Sequence, residues 1–261
     1  MNPASDGAEQ PRTDAPAHPL DQAAWASLTG PHARFAEGTG LARRYHSEVS
    51  PFAALASFED EQAWRDLHRL YGDGEIVVLA GPPGFSAALP SGWVVEAAIP
   101  GVQLVATEAF ASRPDDEAFA IGAEDAPEAV DLVARTEPGP FRPKTHTLGT
   151  YLGLRRGGRL VALAGERMHP PGWSEISAVC TDPDHRRQGL ATRLIRAVCH
   201  EIRARGETPF LHTMATNVRA IDLYLDLGFE LRRNVEFAGL RTPTHPNPGP
   251  PHQGMTPASS K

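Results

Sequence analysis

The chain has 261 residues, enough for one or two domains with a substantial core. Hydrophobic residues at 41% and charged residues at 22% fit a globular protein, while 24 glycines and 25 prolines exceed average usages of about 7% and 5% and point to loops around the folded part. The formal net charge of −7 leaves no broad cationic field for a nucleic-acid backbone, and no apolar run approaches the ~20 residues of a membrane span, so neither nucleic acid nor membrane is expected as a partner.

The opening MNPASDGAEQPRTD has neither the basic nor the apolar region of a secretory signal, and the two cysteines, Cys180 and Cys199, sit in apolar segments. A reducing, cytoplasmic location with two structural thiols is the expectation. Residues 1–20 and 242–261 are polar and rich in proline and small residues, and both ends read as disordered tails. His245 and His252 in the second tail are assigned no function.

Between the tails lie two blocks, 21–115 and 122–241, divided by the acidic stretch RPDDEAFAIGAEDA. In the first, Trp64, Leu67 and Leu70 give a helix over Glu61 to Tyr71, Glu75 to Ala80 and Trp93 to Ala98 read as short strands, and Val102 to Thr107 as a hairpin partner. Its histidines, His32, His46 and His68, are scattered and show no catalytic spacing. In the second block, Pro127 to Thr136 reads as a helix and Thr150 to Leu154, Leu160 to Arg167 and Glu175 to Thr181 as strands. The stripe Leu190, Leu194, Ile195, Val198, Ile202 defines a long helix stopped by Gly206. A strand at Pro209 to Thr213, a helix capped by Asn217 and stopped by Gly228, and strands at Phe229 to Arg232 and Val235 to Leu240 complete the order. The pattern is α/β.

Chemistry concentrates at Arg186-Arg187-Gln188-Gly189-Leu190-Ala191, between a strand and the start of the long helix. Small residues at 189 and 191 let a phosphate approach backbone N–H groups that have no helical partner, where the dipole also favours an anion. Arg186 and Arg187 can add charge-assisted contacts. No residue set has metal-ligand spacing, and Gly-x-Ser-x-Gly and Walker loops are absent from the sequence. Cys180 and Cys199 lack a suitably spaced His or Asp, and His200 and His212 look isolated.

Arg186, Gly189 and Ala191, followed by Asn217, Ala220-Ile221, Tyr224 and Gly228-Phe229, resemble the two signatures of the GNAT superfamily of acyl-CoA-dependent N-acyltransferases. The resemblance covers about Glu175 to Phe229 and extends loosely back to Pro127. It implies a mixed sheet splayed between the strands at Glu175 to Thr181 and Pro209 to Thr213, with flanking helices and acetyl-CoA, or another acyl-CoA, in the gap. Pyrophosphate would rest on the backbone of residues 187 to 191. Pantetheine would pair with Val179 and Thr181 and touch Asn217, and the Val179 N–H would polarise the thioester carbonyl. The smaller α/β block in front would be a second domain, as in glycine N-acyltransferase-like members.

Direct transfer needs a neutral amine and a proton for the departing thiolate. By position, the resemblance makes Glu175 the base, with Glu166 in reserve, and Tyr224 the acid. Strict strand alternation places Glu175, Ser177, Val179 and Thr181 on one face and Ile176, Ala178 and Cys180 on the other. The acceptor groove would be built by Arg135 to Thr147 and Arg232 to Leu240, with Phe141, Arg142, Lys144 and His146 as lining. Such a basic loop suits a carboxylate-bearing amine. The expected function is acetyl transfer to a small-molecule or peptide amine, the rival readings being a non-catalytic CoA-binding module and a protein-interaction role for the first block.

Overall fold

The computed structural model describes residues 18–244, so His245, His252 and most of both tails lie outside the described residues. A 3-10 turn at Pro19–Gln22 leads into α1 (Ala23–Leu28), and β1 (Ala36–Glu37), β2 (Ala42–Tyr45) and β3 (Ala53–Leu55) form a small antiparallel sheet. Then come α2 (Glu61–Tyr71), β4 (Ile76–Gly81), β5 (Val94–Ala106), β6 (Phe119–Ala120) and α3 (Ala126–Thr136). The rest is β7 (Tyr151–Arg156), β8 (Arg159–Glu166), β9 (Trp173–Thr181), α4 (Leu190–Ala204), β10 (Thr208–Met214), α5 (Val218–Leu227) and β11 (Phe229–Arg241).

β4 to β11 form one eight-stranded sheet in the order β4-β11-β5-β10-β9-β8-β7-β6. All neighbours are antiparallel except β9 and β10. The two sequence blocks therefore do not form separate sheets: β5, from the first, lies between β10 and β11, from the second. The small β1-β2-β3 sheet lies wholly in the first block, but the proposed boundary near 115–122 cuts through the eight-stranded sheet.

The hairpin expected across Pro100 is instead one continuous strand. β5 pairs with β10 only from Gly101 to Val105, so Pro100 has no β10 partner and its missing N–H costs no pairing there. β11 is likewise continuous, with a register shift around Arg232. The ordered chain also exceeds its expected limits. Leu20 is buried in the core beside α1, and the buried Thr242 accepts from the Glu75 N–H and donates to the Gly72 carbonyl.

α4 and α5 cover one sheet face, where Leu194, Ile195, Val198 and Ile202 meet Leu104, Val161 and Leu211. α1 packs on Val105 and Phe210, the opposite face of β5 and β10, and α3 packs on Leu163 and Cys180. α2 packs with β3 on Val77 and Leu79 of β4. β9 and β10 pair only between 173–176 and 208–211, then part. That divergence is the expected splay.

Candidate functional site

A cavity of about 380 Å³ occupies the gap where β9 and β10 separate. Its wall includes residues on both sheet faces. At one end Val179 of β9 meets Asn217, Ala220 and Tyr224 around the start of α5. At the other, Phe52, Val78, Ile99 and Phe237 form an apolar wall around Arg167 and His212. The exposed loop from Glu137 to Pro140, after α3, forms the rim.

The β9 wall departs from strict alternation. Ala178 has φ +54°, and the register against β8 shifts between Leu163 and Gly165. This bulge turns Val179 to the α4 side with Ile176, while Ala178 and Cys180 pack with α3. The expected face of Glu175, Ser177, Val179 and Thr181 is thus broken at residue 178. Beyond Ile176, β9 has no β10 partner, which leaves main-chain groups of residues 177–181 open on that edge.

At the start of α4, Arg187 (φ +62°) and Gly189 (φ +73°) are both left-handed. This conformation brings the exposed Arg186, Arg187, Gln188 and Gly189 around the helix N-terminus, ahead of Leu190 and Ala191. Arg193 N donates to Gly189 O, so the N–H groups of residues 190–192 precede the first helical bond. Neither Arg186 nor Arg187 forms an ion pair among the described residues; Arg186 Nε donates to Thr181 O at 3.4 Å. Two guanidinium groups without ion pairs, beside a helix start whose first N–H groups have no helical partner, suit a diphosphate.

Asn217 caps α5, its Oδ1 accepting from Ala220 N at 3.3 Å. Tyr224 is buried at 8% exposure and packs edge-on against Phe229, with ring centroids 5.6 Å apart. Burial, with the neighbouring Cys199, pushes its phenol above the ordinary tyrosine range. Both thiols are buried and free; burial raises Cys180 to about 11 and also raises Cys199, so both stay protonated.

Glu175 is fully buried and absent from the cavity wall. Its carboxylate accepts from Arg167 Nε at 2.9 Å and Nη2 at 2.5 Å, and from His212 Nδ1 at 2.7 Å. Burial alone would raise the carboxyl, but Arg167 and then His212 outweigh it and hold it at about 2. The reserve carboxylate, Glu166, is also buried and is paired with Arg205 at 2.6 Å and His169 at 2.9 Å.

His212, which looked isolated in the sequence, is the centre of a relay. Arg232 Nη1 donates to Gln103 Oε1, which orients the amide so that its Nε2 donates to Leu20 O and to His212 Nε2. His212 Nε2 therefore accepts, and Nδ1 carries the hydrogen given to Glu175. Arg232 is itself held by Asp21 at 2.7 Å. The bulge at Arg232 and the non-local contacts to Leu20 and Asp21 left no sequence signal; the Glu175–His212 contact alone spans 37 residues.

The basic loop expected to line the acceptor groove is turned elsewhere. Lys144 pairs with Glu48 at 2.7 Å, Phe141 packs edge-on against Tyr151, and Arg142 is exposed outside the cavity. His146 does not line the cavity either. Of the expected hairpin segment, Phe237 does reach the wall. Val78 and Ile99 come from β4 and β5, in the block to which no site was assigned.

The FR47-like protein family matches residues 151–238. A crystallised GNAT-family protein from Novosphingobium aromaticivorans is 40% identical, covering 87% of this chain and 100% of that one, with a TM-score of 0.79. The [ribosomal protein bS18]-alanine N-acetyltransferase of Escherichia coli is 32% identical over 42% of this chain and 80% of its own length. The mycothiol acetyltransferase of Thermomonospora curvata is 28% identical over 70% of this chain, which spans 58% of that relative's length. The chain belongs to the GNAT family of acetyltransferases. Among the described residues no helix is long and apolar enough to cross a membrane, and no group of His, Cys, Asp or Glu could hold a metal ion.

Proposed function

We propose that the protein transfers acetyl from acetyl-CoA to a primary amine by direct attack on the thioester. The observation that carries this reading is the cavity through the β9–β10 gap, with Val179 and Tyr224 at one end and an apolar, Arg167-containing chamber at the other. The backbone at 187–191, with Arg186 and Arg187, holds the pyrophosphate. The open β9 edge at Val179 and Thr181 pairs with pantetheine beside Asn217, and the Val179 N–H polarises the carbonyl as negative charge develops there. Tyr224 protonates the departing thiolate. Glu175 anchors Arg167 and His212 rather than taking the amine's proton, which leaves to water at the rim near Glu137. Within the family we place the chain among two-block members such as the glycine N-acyltransferase-like branch, since β4, β5 and Phe52 supply the acceptor wall.

Calorimetric titration with acetyl-CoA, followed by a free-thiol release assay against amines, tests the reading. Micromolar binding with thiol release is the expected result; binding without release from any amine would favour a non-catalytic CoA-binding module, and absent binding would end the proposal. Tyr224→Phe separates the acid from the binding surface. Because burial raises the phenol, it stays protonated through the neutral range and is lost only at pH values above that range. The variant is expected to lower kcat about a hundredfold while the acetyl-CoA Kd moves less than about threefold. An unchanged kcat would remove Tyr224 from the proton path.

A further inference from the structure

The acceptor end of the cavity has one polar feature that no step above employs. Arg167 spends Nε and Nη2 on Glu175, its guanidinium carbon lies 4.9 Å from the Phe52 ring centroid, and Nη1 makes no hydrogen bond or ion pair among the described residues. Arg167 is on the cavity wall, with a side chain only 10% exposed. An unmatched guanidinium edge in an apolar chamber needs an oxygen from whatever fills that chamber.

The surrounding charge selects which oxygen. The titratable groups on the wall are Glu137, Arg167, His212 and Tyr224. Arg167 is already neutralised by Glu175, His212 accepts at Nε2 and donates only from Nδ1, and Tyr224 keeps its proton. The remaining formal charge is the negative one of Glu137 at the rim. A second carboxylate at Arg167 would leave a net negative charge in the chamber, whereas a neutral carbonyl would not.

Resting on the acetyl-transfer reading, we propose that the acceptor is an α-amino amide, an aminoacyl amide or peptide N-terminus, whose neutral carbonyl accepts a hydrogen bond from Arg167 Nη1 while its apolar part lies against Phe52 and Phe237. This reverses the expectation of a carboxylate-bearing amine, which rested on the loop at Arg142 and Lys144. It also suits a chamber whose inner carboxylate is clamped and whose histidine is engaged at both ring nitrogens. An α-amino group of pKa about 7.7 to 8.0 is partly neutral near pH 7, unlike a lysine amine at about 10.4, and needs less help from a base.

The test compares phenylalaninamide, phenylalanine and phenethylamine, which share a ring and differ in the group beside the amine. Thiol-release kcat/KM is referred to the neutral amine in each case. The wild-type protein is expected to prefer the amide over both others by about tenfold or more, expressed mainly in acceptor KM. Arg167→Lys keeps a cation for Glu175 but removes the second donor edge, and should bring the amide-to-phenethylamine ratio to within about threefold of unity. Arg167→Met with Glu175→Leu removes the pair without stranding a buried charge, and should do the same if the lysine variant folds poorly. Equal use of the three amines, preference for the free amino acid, or a ratio kept in both variants would overturn the assignment. So would acetyl-CoA binding with no release from any of the three. Failure to bind acetyl-CoA at all would instead bring down the acetyl-transfer reading.

Discussion

Glu175→Gln is expected to destabilise the fold by about 3 to 5 kcal/mol, because it leaves the guanidinium of Arg167 buried without its counter-charge. Glu175 is fully buried and lies off the cavity wall, and Arg167 is only 8% exposed, so water does not replace the lost counter-charge. The amide N–H₂ must replace either the oxygen that accepts from Arg167 Nε or the one shared by Arg167 Nη2 and His212 Nδ1, so at least one donor goes unmatched. Urea unfolding should show a lower midpoint at nearly constant slope. Since the folded-state carboxyl is held at about 2 against an ordinary 4.5, its stabilising contribution is complete above about 4.5 and fades as the pH falls toward 2. The wild-type protein should lose stability across that window, and the variant should lose less of it. An unchanged midpoint would show that the pair contributes nothing net. A base titrating near neutrality would give the wild-type rate a limb that Glu175→Gln removes; none attributable to Glu175 is expected.

The long helices and most strands of the large sheet were legible because local rules specify them, whereas the short α1, β1, β2, β3 and β6 were not read. The α2 helix begins after Asp60, whose carboxylate accepts from Gln62 N, and stops at Gly72; α5 lies between the Asn217 cap and Gly228. The stripe from Leu190 to Ile202 gave α4 its buried face for the same reason. The loop proposed to hold the diphosphate was legible because it belongs to one helix start. The acceptor chamber was not. Arg167, Glu175 and His212 come from the end of β8, from β9 and from β10, and they meet only because β9 and β10 pair in parallel with Glu175 opposite Phe210. The bulge at Ala178 was hidden as well. An alanine at positive φ carries no glycine to mark it, yet one extra residue exchanges the faces of everything beyond it. The place of β5 between β10 and β11 is a long-range pairing that no short-range pattern encodes, and it is what brings Ile99 to the cavity.

Gly189→Glu tests the other end of the site, and its expected result is an acetyl-CoA Kd weakened by about a thousandfold, since a fixed carboxylate would stand where the pyrophosphate must lie. The fold should tolerate the change. No heavy atom lies within 4 Å of the Cβ position, so the cost is that of a side chain at φ +73°, about 1 to 2 kcal/mol. The new carboxylate would sit at the N-terminus of α4, where the helix dipole favours it and offsets part of that strain. Stability and binding therefore separate. Gly189→Ala carries the same backbone strain without the charge and should weaken binding by less than about tenfold. A pantetheine thioester without phosphates should bind both variants as it binds the wild-type protein, because its proposed contacts are at Val179 and Asn217. If the glutamate variant holds acetyl-CoA as tightly as the alanine variant, the phosphates rest elsewhere and the Arg186–Ala191 loop is not their cradle. If it loses the phosphate-free thioester as well, the substitution has disturbed β9 or α5, and the loss of acetyl-CoA affinity no longer reports on the loop.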